Sequence, residues 1–457
     1  MTSTMYCCDI NGMSSLNGRE AAKDAIHILD NFKPMRKSIL LITPENREIH
    51  AYRKKQFNNF VQITMPYLAG FIKERKYDVT LIDEYNQKIP YGQRYDLVAI
   101  TVNTPNASHC YKISLRFRDN GVKVVMGGPH VTLMPDEAKQ YCDYLIVGEA
   151  EETWPQFLEA FYDGNAQCRY TCGRPPSLQG LPIARRDLIK RRLYTKGAVF
   201  ASRGCPYNCR YCNLKQIYCP SFRMRPIHEV IEDIMTIEQD YFVFWDDNFF
   251  GDIDYVRQLM QELKPLRKKW AAQVTIDRCQ DKELLDLVRE AGCLYLFIGL
   301  ESFSAESLAS VNKEFNNVVK YRDTVKLIHR CGISVWAGII FGFDTDDQDV
   351  FKDTVIACEQ LGIDGVTPSI LTPLPGTPIF DELKSTGRLL YSDWTHYNGK
   401  TRVSFQPKNM TAEELYKGYM WFRKHLYSFR SIVKRLSISR TNVMHNLIIN
   451  LGYKLSL

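Results

Sequence analysis

The chain has 457 residues, 45% of them hydrophobic and 24% charged, with a formal net charge of +7. That length and balance give room for two cores and are ordinary for a folded chain, and the lack of any repeat or low-complexity tract sets aside solenoid and disordered readings. No window reaches the ~18 uninterrupted apolar residues of a membrane span, and no leader-like apolar run opens the chain.

Residues 1–37 read as an N-terminal extension. From 38 to 163, short apolar runs alternate with helical patterns: "SILLIT" (38–43), "YDVTLID" (77–83), "DLVAIT" (96–101), "VKVVMG" (122–127) and "DYLIVG" (143–148). Such near-continuous runs predict a parallel sheet covered on both faces, a doubly wound α/β (Rossmann-like) domain. Ligands of such sheets bind at the carboxyl ends of the strands, here "TVNTPN" (101–106), "GGPH" (127–130) and "VGEAEE" (147–152). Two adjacent glycines let backbone approach a large ligand closely, and also suit a plain turn.

Residues 164–195 lack periodicity and read as a linker. A second series follows over 196–380, with candidate strands at 197–203, 241–247, 270–276, 293–301, 333–343 and 364–373. Helical patterns at 227–239, 281–291, 316–331 and 348–361 fall between them. Six such units predict a (β/α)6 partial barrel, with its site where the strands end. Residues 381–457 read as a helical C-terminal segment. Its last 37 residues hold seven basic residues and no acid. Such a tail could lie on an anionic membrane surface, but a docked helix with a basic outer face is the favoured reading. No basic motif with interleaved aromatics predicts a nucleic-acid partner.

The fourteen cysteines are scattered, and read as reduced cytoplasmic thiols for which metal binding outranks disulfides. One group is not scattered. "RGCPYNCRYCN" (203–213) sets Cys205, Cys209 and Cys212 at C-x3-C-x2-C, just after the first strand of the second series. Structural zinc takes four ligands and a disulfide leaves one thiol over, so three suit a metal centre that keeps one position open. Cys7, Cys8, Cys168 and Cys172 could ligate a second cluster, but Cys168 and Cys172 sit in the linker with no nearby second pair, so one cluster is expected; Cys219, close to the loop, reads as a packed or exposed thiol. Cys279, Cys293, Cys331 and Cys358 read as buried small hydrophobes.

This loop, with Tyr211 before its last cysteine, resembles that of the radical S-adenosylmethionine superfamily. The resemblance extends to "FWDDNFF" (244–250), "IGLES" (298–302), "GIIFG" (338–342) and "LTPLPGTPIF" (371–380). It implies one 4Fe–4S cluster on the three cysteines, and S-adenosylmethionine contacts from Tyr211, Asp246, Asp247, Glu301, Gly338 and Ile340. A helix cap is the competing role for the aspartates. "VVMGGPHVTLMPDEA" and "YLIVGEAEETWPQF" resemble the cobalamin-binding domain fused to such barrels. Thr101, Val102, Asn103, Thr104, Gly127, Gly128, Pro129, His130, Gly148 and Glu149 are the implied cobalamin contacts. The D-x-H-x-x-G motif that often supplies a cobalt ligand is missing, since the region reads "TPENREIH" (43–50) and His50 lacks the spacing.

The resemblance implies reductive cleavage of S-adenosylmethionine to a 5′-deoxyadenosyl radical, and cobalamin-dependent C-methylation of a small-molecule or lipid-like substrate. It also implies oxygen sensitivity and a reductase or flavodoxin-type electron donor. The alternatives are a cobalamin-free radical rearrangement, oxidation, cyclisation or coupling with a vestigial first domain, and a non-enzymatic cobalamin or metal sensor. Trp245, Trp336, Trp394 and Tyr397 are candidates for an apolar pocket, although core packing is the commoner fate of such residues.

Overall fold

The computed structural model describes residues 36–50, 60–218 and 221–457; Cys7, Cys8 and Cys219 lie outside the described residues. The first sheet comprises β1 (Lys37–Thr43), β2 (Tyr77–Asp83), β3 (Leu97–Thr101), β4 (Lys123–Gly127), β5 (Tyr144–Val147) and β6 (Arg169–Thr171). All six are parallel, in the order β2-β1-β3-β4-β5-β6. Continuous apolar runs are needed because both faces are covered. Leu40 and Ile42 pack with Ile113 and Phe117 of α1 (Ala107–Arg118), while Ile39 and Leu41 pack with Trp154 and Phe157 of α2 (Ala150–Tyr162). The order reverses between β1 and β3, which opens a cleft at the strand ends.

β6 lies inside the stretch read as a linker. Its three residues, "RYT", carry no apolar run to mark it, yet they pair with Leu145–Val147. The rest of that stretch is strapped to the second sheet: Arg186 donates to the Ala198 carbonyl at 2.7 Å and pairs with Asp233. Cys168 and Cys172 flank extended β6, so their backbones stand ~13 Å apart at ~3.3 Å per residue.

The second sheet comprises β7 (Gly197–Val199), β10 (Tyr241–Phe244), β11 (Lys269–Val274), β12 (Cys293–Glu301), β13 (Ser334–Phe341) and β14 (Gly365–Ile370). It is parallel throughout, in the order β14-β13-β12-β11-β10-β7, with β7 and β14 as open edges. This is the expected partial barrel. Between its strands run α3 (Ile227–Met235), α4 (Ile253–Leu263), α5 (Lys282–Glu290), α6 (Tyr321–Arg330) and α7 (Val350–Leu361). The predicted strand 197–203 is broken after Val199 because the Ala201 and Ser202 amides turn to the Asp246 carboxylate. The chain resumes as β8 (Ser202–Arg203), antiparallel to β9 (Arg223–Met224). Cys279, Cys293, Cys331 and Cys358 are buried, as expected.

The tail is docked. Helices α8 (Ala412–Leu426), α9 (Phe429–Ser439) and α10 (Val443–Leu455) pack beside β14 and α7. Arg435 is fully buried and donates to the Ile363, Asp364 and Leu426 carbonyls and to Asn450 Oδ1, at 2.7–3.1 Å. Arg423 is buried as well. Two of the seven tail cations are therefore internal. No described helix is long and apolar enough to cross a membrane.

Candidate active site

The cysteine loop starts at Gly204, whose φ of +91° suits glycine and where an added Cβ would stand 2.1 Å from the Ser221 carbonyl oxygen. Its amide donates to Asp247 Oδ2 at 3.1 Å. Farther on, the Arg210 amide donates to the Val311 carbonyl at 3.0 Å, and Tyr207 stacks on Phe315 with ring centroids 3.7 Å apart. The three thiols are free and half-buried, and burial raises the pKa of each, that of Cys212 to about 12. Among the described residues, the one trio of metal-type ligands within 4.8 Å of one another is Glu45, Glu84 and His109. Arg47 pairs with both carboxylates of that trio, at 3.5 and 3.9 Å. The three sulfurs are thus spread wider than a single ion draws its ligands at ~2.3 Å. Thiols spread this way fit a cluster that offers one iron to each.

Glu301 sits on a β-bulge. The β12–β13 register shifts between Gly299 and Glu301, and Glu301 has φ +63°. Such a bulge re-aims a side chain. It is pinned by Asn316 Nδ2, which donates to the Gly299 and Leu300 carbonyls at 2.8 and 3.2 Å, and by the Tyr321 hydroxyl, which donates to Leu300 at 3.1 Å. The Glu301 carboxylate accepts from Lys313 Nζ at 3.1 Å and from the Tyr211 hydroxyl at 3.2 Å. Burial opposes the Lys313 charge, but Glu301 and the cysteines beside it hold its pKa above the ordinary lysine value. Lys313 had no sequence signal. A Cβ on Gly299 would stand 2.4 Å from Glu301 Oε1. Gly299→Ala is therefore expected to displace that carboxylate and cost about 1–3 kcal/mol, measured by thermal unfolding; an unchanged midpoint would contradict the geometry. Gly338 and Ile340 lie on neighbouring β13, where a Cβ at Gly338 would meet Phe297 Cζ at 3.2 Å.

Asp246 and Asp247 diverge. Asp246 accepts from the Ala201 and Ser202 amides and the Ser202 hydroxyl, chiefly at Oδ1, and burial pushes its pKa up to about 7. It shapes the turn leading to the cysteines. Asp247 holds Gly204, and burial pushes its pKa up to about 6. Neither caps α4, whose N-cap is Asp252, accepting from the Tyr255 amide at 2.9 Å.

Two cavities meet here. One, of about 580 Å³, runs inside the partial barrel; the other, of about 400 Å³, lies over the carboxyl ends of the first sheet. Trp245, 50% exposed, and Asp247 stand in the walls of both. Thr101, Asn103, Gly127, Gly128, Pro129, Gly148 and Glu149 line the second cavity. Val102, Thr104 and His130 do not reach it. Val102 is core, and the buried His130 ring is held by Thr104 Oγ1 at 3.2 Å and the Tyr111 hydroxyl at 3.1 Å. Gly128 has φ +105°, and a Cβ there would stand 2.9 Å from the Val102 carbonyl oxygen. Thr43 Oγ1 and Gln62 Nε2, absent from the sequence reading, line the same cavity and are buried without a hydrogen-bond partner. These orphaned polar atoms fit a large ligand with amide groups, as cobalamin is. His50 pairs with Glu45 instead.

The Glu149 carboxylate accepts from Arg203 Nη1 at 2.9 Å and Arg223 Nη2 at 2.5 Å, while Arg203 also pairs with Glu151. This buried network joins the first domain to the segment entering the cysteine loop. Of the four candidate aromatics, Trp245 and Trp336 line the barrel cavity. Trp394 donates to Glu137 at 2.8 Å and packs against Tyr397, at the contact with the first domain. Lys196, Lys400 and Arg423 also line the barrel cavity, and no motif announced them.

A three-thiol loop at the mouth of an open barrel, walled jointly with a cleft over a doubly wound sheet, defines a two-cofactor radical enzyme. Comparison with known proteins agrees. The Radical SAM superfamily profile matches residues 199–357, the B12 binding domain profile 57–158, and a domain of unknown function 377–447. The bacteriochlorophyllide d C-12(1)-methyltransferase of Chlorobaculum tepidum is 30% identical over 81% of this chain and 83% of its own. The hopanoid C-2 methylase of Rhodopseudomonas palustris is 29% identical over 64% of this chain and 57% of its own. The chain belongs to the cobalamin-binding radical S-adenosylmethionine family. Its fold is that of the methyltransferase TsrM from Kitasatospora setae, a structure with cobalamin and a [4Fe-4S] cluster bound. The TM-score is 0.67 at 17% identity, over 85% of this chain and 88% of that one.

Proposed function

We propose that this protein methylates an unactivated carbon of a bulky, largely apolar small molecule. The observation that carries this reading is the position of Asp247, bonded to the cysteine loop and standing in the walls of both cavities. When bound, a cluster with S-adenosylmethionine supplies a hydrogen-abstracting radical, and cobalamin supplies the methyl group. Cys205, Cys209 and Cys212 would hold the cluster. Lys313 offers a cation to the S-adenosylmethionine carboxylate, Glu301 and Asp247 offer acceptors to its ammonium and ribose hydroxyls, and Tyr211 keeps Glu301 in place. Gly338 and Ile340 leave room for the adenine. Thr43 and Gln62 offer hydrogen bonds to cobalamin amides. Trp245 forms the apolar wall between methyl donor and substrate. The substrates named for the relatives, a bacteriochlorophyllide and a hopanoid, are of the size and apolarity the barrel cavity suits. A flavodoxin-type reductant is the class of electron donor this chemistry calls for.

The competing reading is cyclisation, since an anaerobic magnesium-protoporphyrin IX monomethyl ester cyclase of Cereibacter sphaeroides is 24% identical over 80% of this chain. Product ratios separate the two. Methylation consumes one S-adenosylmethionine as methyl donor and one as radical source, so S-adenosylhomocysteine and 5′-deoxyadenosine are expected in equal amounts per substrate consumed. Turnover yielding 5′-deoxyadenosine without S-adenosylhomocysteine would overturn methylation in favour of cyclisation.

The outer faces of α9 and α10 expose Phe429, Val433, Met444, Ile448 and Leu455 beside Arg430 and Arg440. This combination supports contact with an anionic lipid surface. The full chain is expected to co-sediment with phosphatidylglycerol vesicles and not with phosphatidylcholine ones, and Phe429→Ser with Met444→Ser is expected to abolish the difference. Equal sedimentation with both vesicle types would contradict it.

A further inference from the structure

Three polar groups converge on one wall of the barrel cavity: Trp336 of β13, Thr367 of β14 and Tyr453 of α10. The Trp336 indole N–H donates to Thr367 Oγ1 at 2.8 Å, and Thr367 Oγ1 lies 3.1 Å from the Tyr453 hydroxyl oxygen. An indole nitrogen only donates, and each hydroxyl owns one hydrogen. The three groups therefore bring three hydrogens and use two, one from Trp336 to Thr367 and one between the hydroxyls. The third stays on Thr367 or on Tyr453, and neither hydroxyl has a further acceptor among the described residues. Burial raises the Tyr453 pKa, so its hydroxyl stays protonated near neutral pH. The trio is also held in place. Trp336 and Tyr453 are each more than nine-tenths buried. The indole lies across Gly365, where an added Cβ would stand 2.1 Å from Trp336 Cζ3. Tyr453 stacks on Tyr427 with ring centroids 5.1 Å apart, and meets the Trp336 ring at 5.3 Å.

We propose that the substrate carries an oxygen acceptor, the role a carbonyl fills, which takes this third hydrogen, and that Thr367 and Tyr453 select for it. This rests on the barrel cavity being the substrate site. It adds to a bulky apolar molecule one polar handle and the place where that handle is held. Thr367 pairs in register with Gly338, so the handle sits one strand, about 5 Å, from the residue assigned to the adenine. An apolar ligand without the oxygen would cover the hydroxyl and leave it unpaired, which is how a pocket built to hydrogen-bond its ligand rejects the analogue that lacks the group.

Binding can be read without turnover. The probe is prodan, 6-propionyl-2-(dimethylamino)naphthalene, an apolar fluorophore with a single ketone. It is compared with its 6-propyl analogue, which lacks that oxygen, by fluorescence titration of the full chain. The ketone is expected to bind about tenfold more tightly, the worth of one hydrogen bond. Its bound emission is expected to lie to the red, as it does when the carbonyl accepts a hydrogen bond. Tyr453→Phe is expected to keep the preference, because Thr367 then offers its own hydrogen. Thr367→Val combined with Tyr453→Phe is expected to remove the preference and move the emission to the blue. Binding of the propyl analogue is expected to be unchanged in that double variant, which shows that its cavity persists. Equal affinities for the two compounds, no saturable binding of the ketone, or a preference that survives in the double variant would overturn the proposal. The titration needs neither cofactor, so a failure of methyl transfer would sink the methylase reading and leave this result standing.

Discussion

A Cys209→Ala chain is expected to purify folded and without its cluster. The substitution removes one of three ligands from a loop whose backbone is held by other contacts, the Arg210 amide on Val311 and the Tyr207–Phe315 stack. The two apolar cores of the first domain contain none of the three cysteines. Iron is expected to fall from about four per chain to traces, because two thiolates cannot retain a cluster that three hold in an open-site arrangement. Formation of 5′-deoxyadenosine is expected to fall below detection, with far-ultraviolet circular dichroism unchanged. Cys358→Ala is the matched control. That thiol is fully buried beside the barrel and takes no part in the loop, so its loss costs packing and leaves iron in place. Cofactor cleavage surviving in Cys209→Ala would contradict the assignment of the loop.

The second large effect belongs to Glu149. Its carboxylate is buried, with Arg203 and Arg223 as partners. Removing one member of a buried charge network leaves the others desolvated and uncompensated, a loss of about 3–5 kcal/mol. Glu149→Ala is expected to lower the thermal midpoint by that measure. It is also expected to weaken cobalamin retention, because the network forms part of the wall of the cavity over the first sheet. Arg203 immediately precedes Gly204, so iron content is expected to drop in the same variant. Glu149→Met combined with Glu151→Met, Arg203→Met and Arg223→Met is expected to recover part of the stability, since Arg203 also pairs with Glu151 and only replacement of all four leaves no stranded charge in the network. A Glu149→Ala chain as stable as the parent would contradict the network's role in joining the domains.

Sequence reading reached the parts of this molecule that local pattern controls. Both parallel sheets were visible because strands covered on two faces must be apolar nearly throughout, and the cysteine loop was visible because its spacing is local. β6 was not, since a three-residue edge strand is held by backbone pairing to β5 rather than by its side chains. The break after Val199 was also hidden, because it is imposed by Asp246, 45 residues away. The same distance effect conceals the polar side of the site. Lys313 meets Glu301 through a bulge, Thr43 and Gln62 face a cavity built by other segments, and Lys400 and Arg423 reach the barrel interior from beyond its last strand. His130 shows the converse: its place after "GGP" suggested a ligand contact, but the helix starting there turns its ring into the core. The basic tail looked like one charged surface, although Arg423 and Arg435 point inward to carbonyls no pattern could disclose.

The central claim is that one chain carries both cofactors side by side. Its most direct test is quantitation of iron, sulfide and cobalt on a single sample purified anaerobically in the presence of hydroxocobalamin. About four irons, four sulfides and one cobalt per chain are expected. Four irons with no cobalt would contradict the account, and would leave the cavity over the first sheet without the ligand assigned to it.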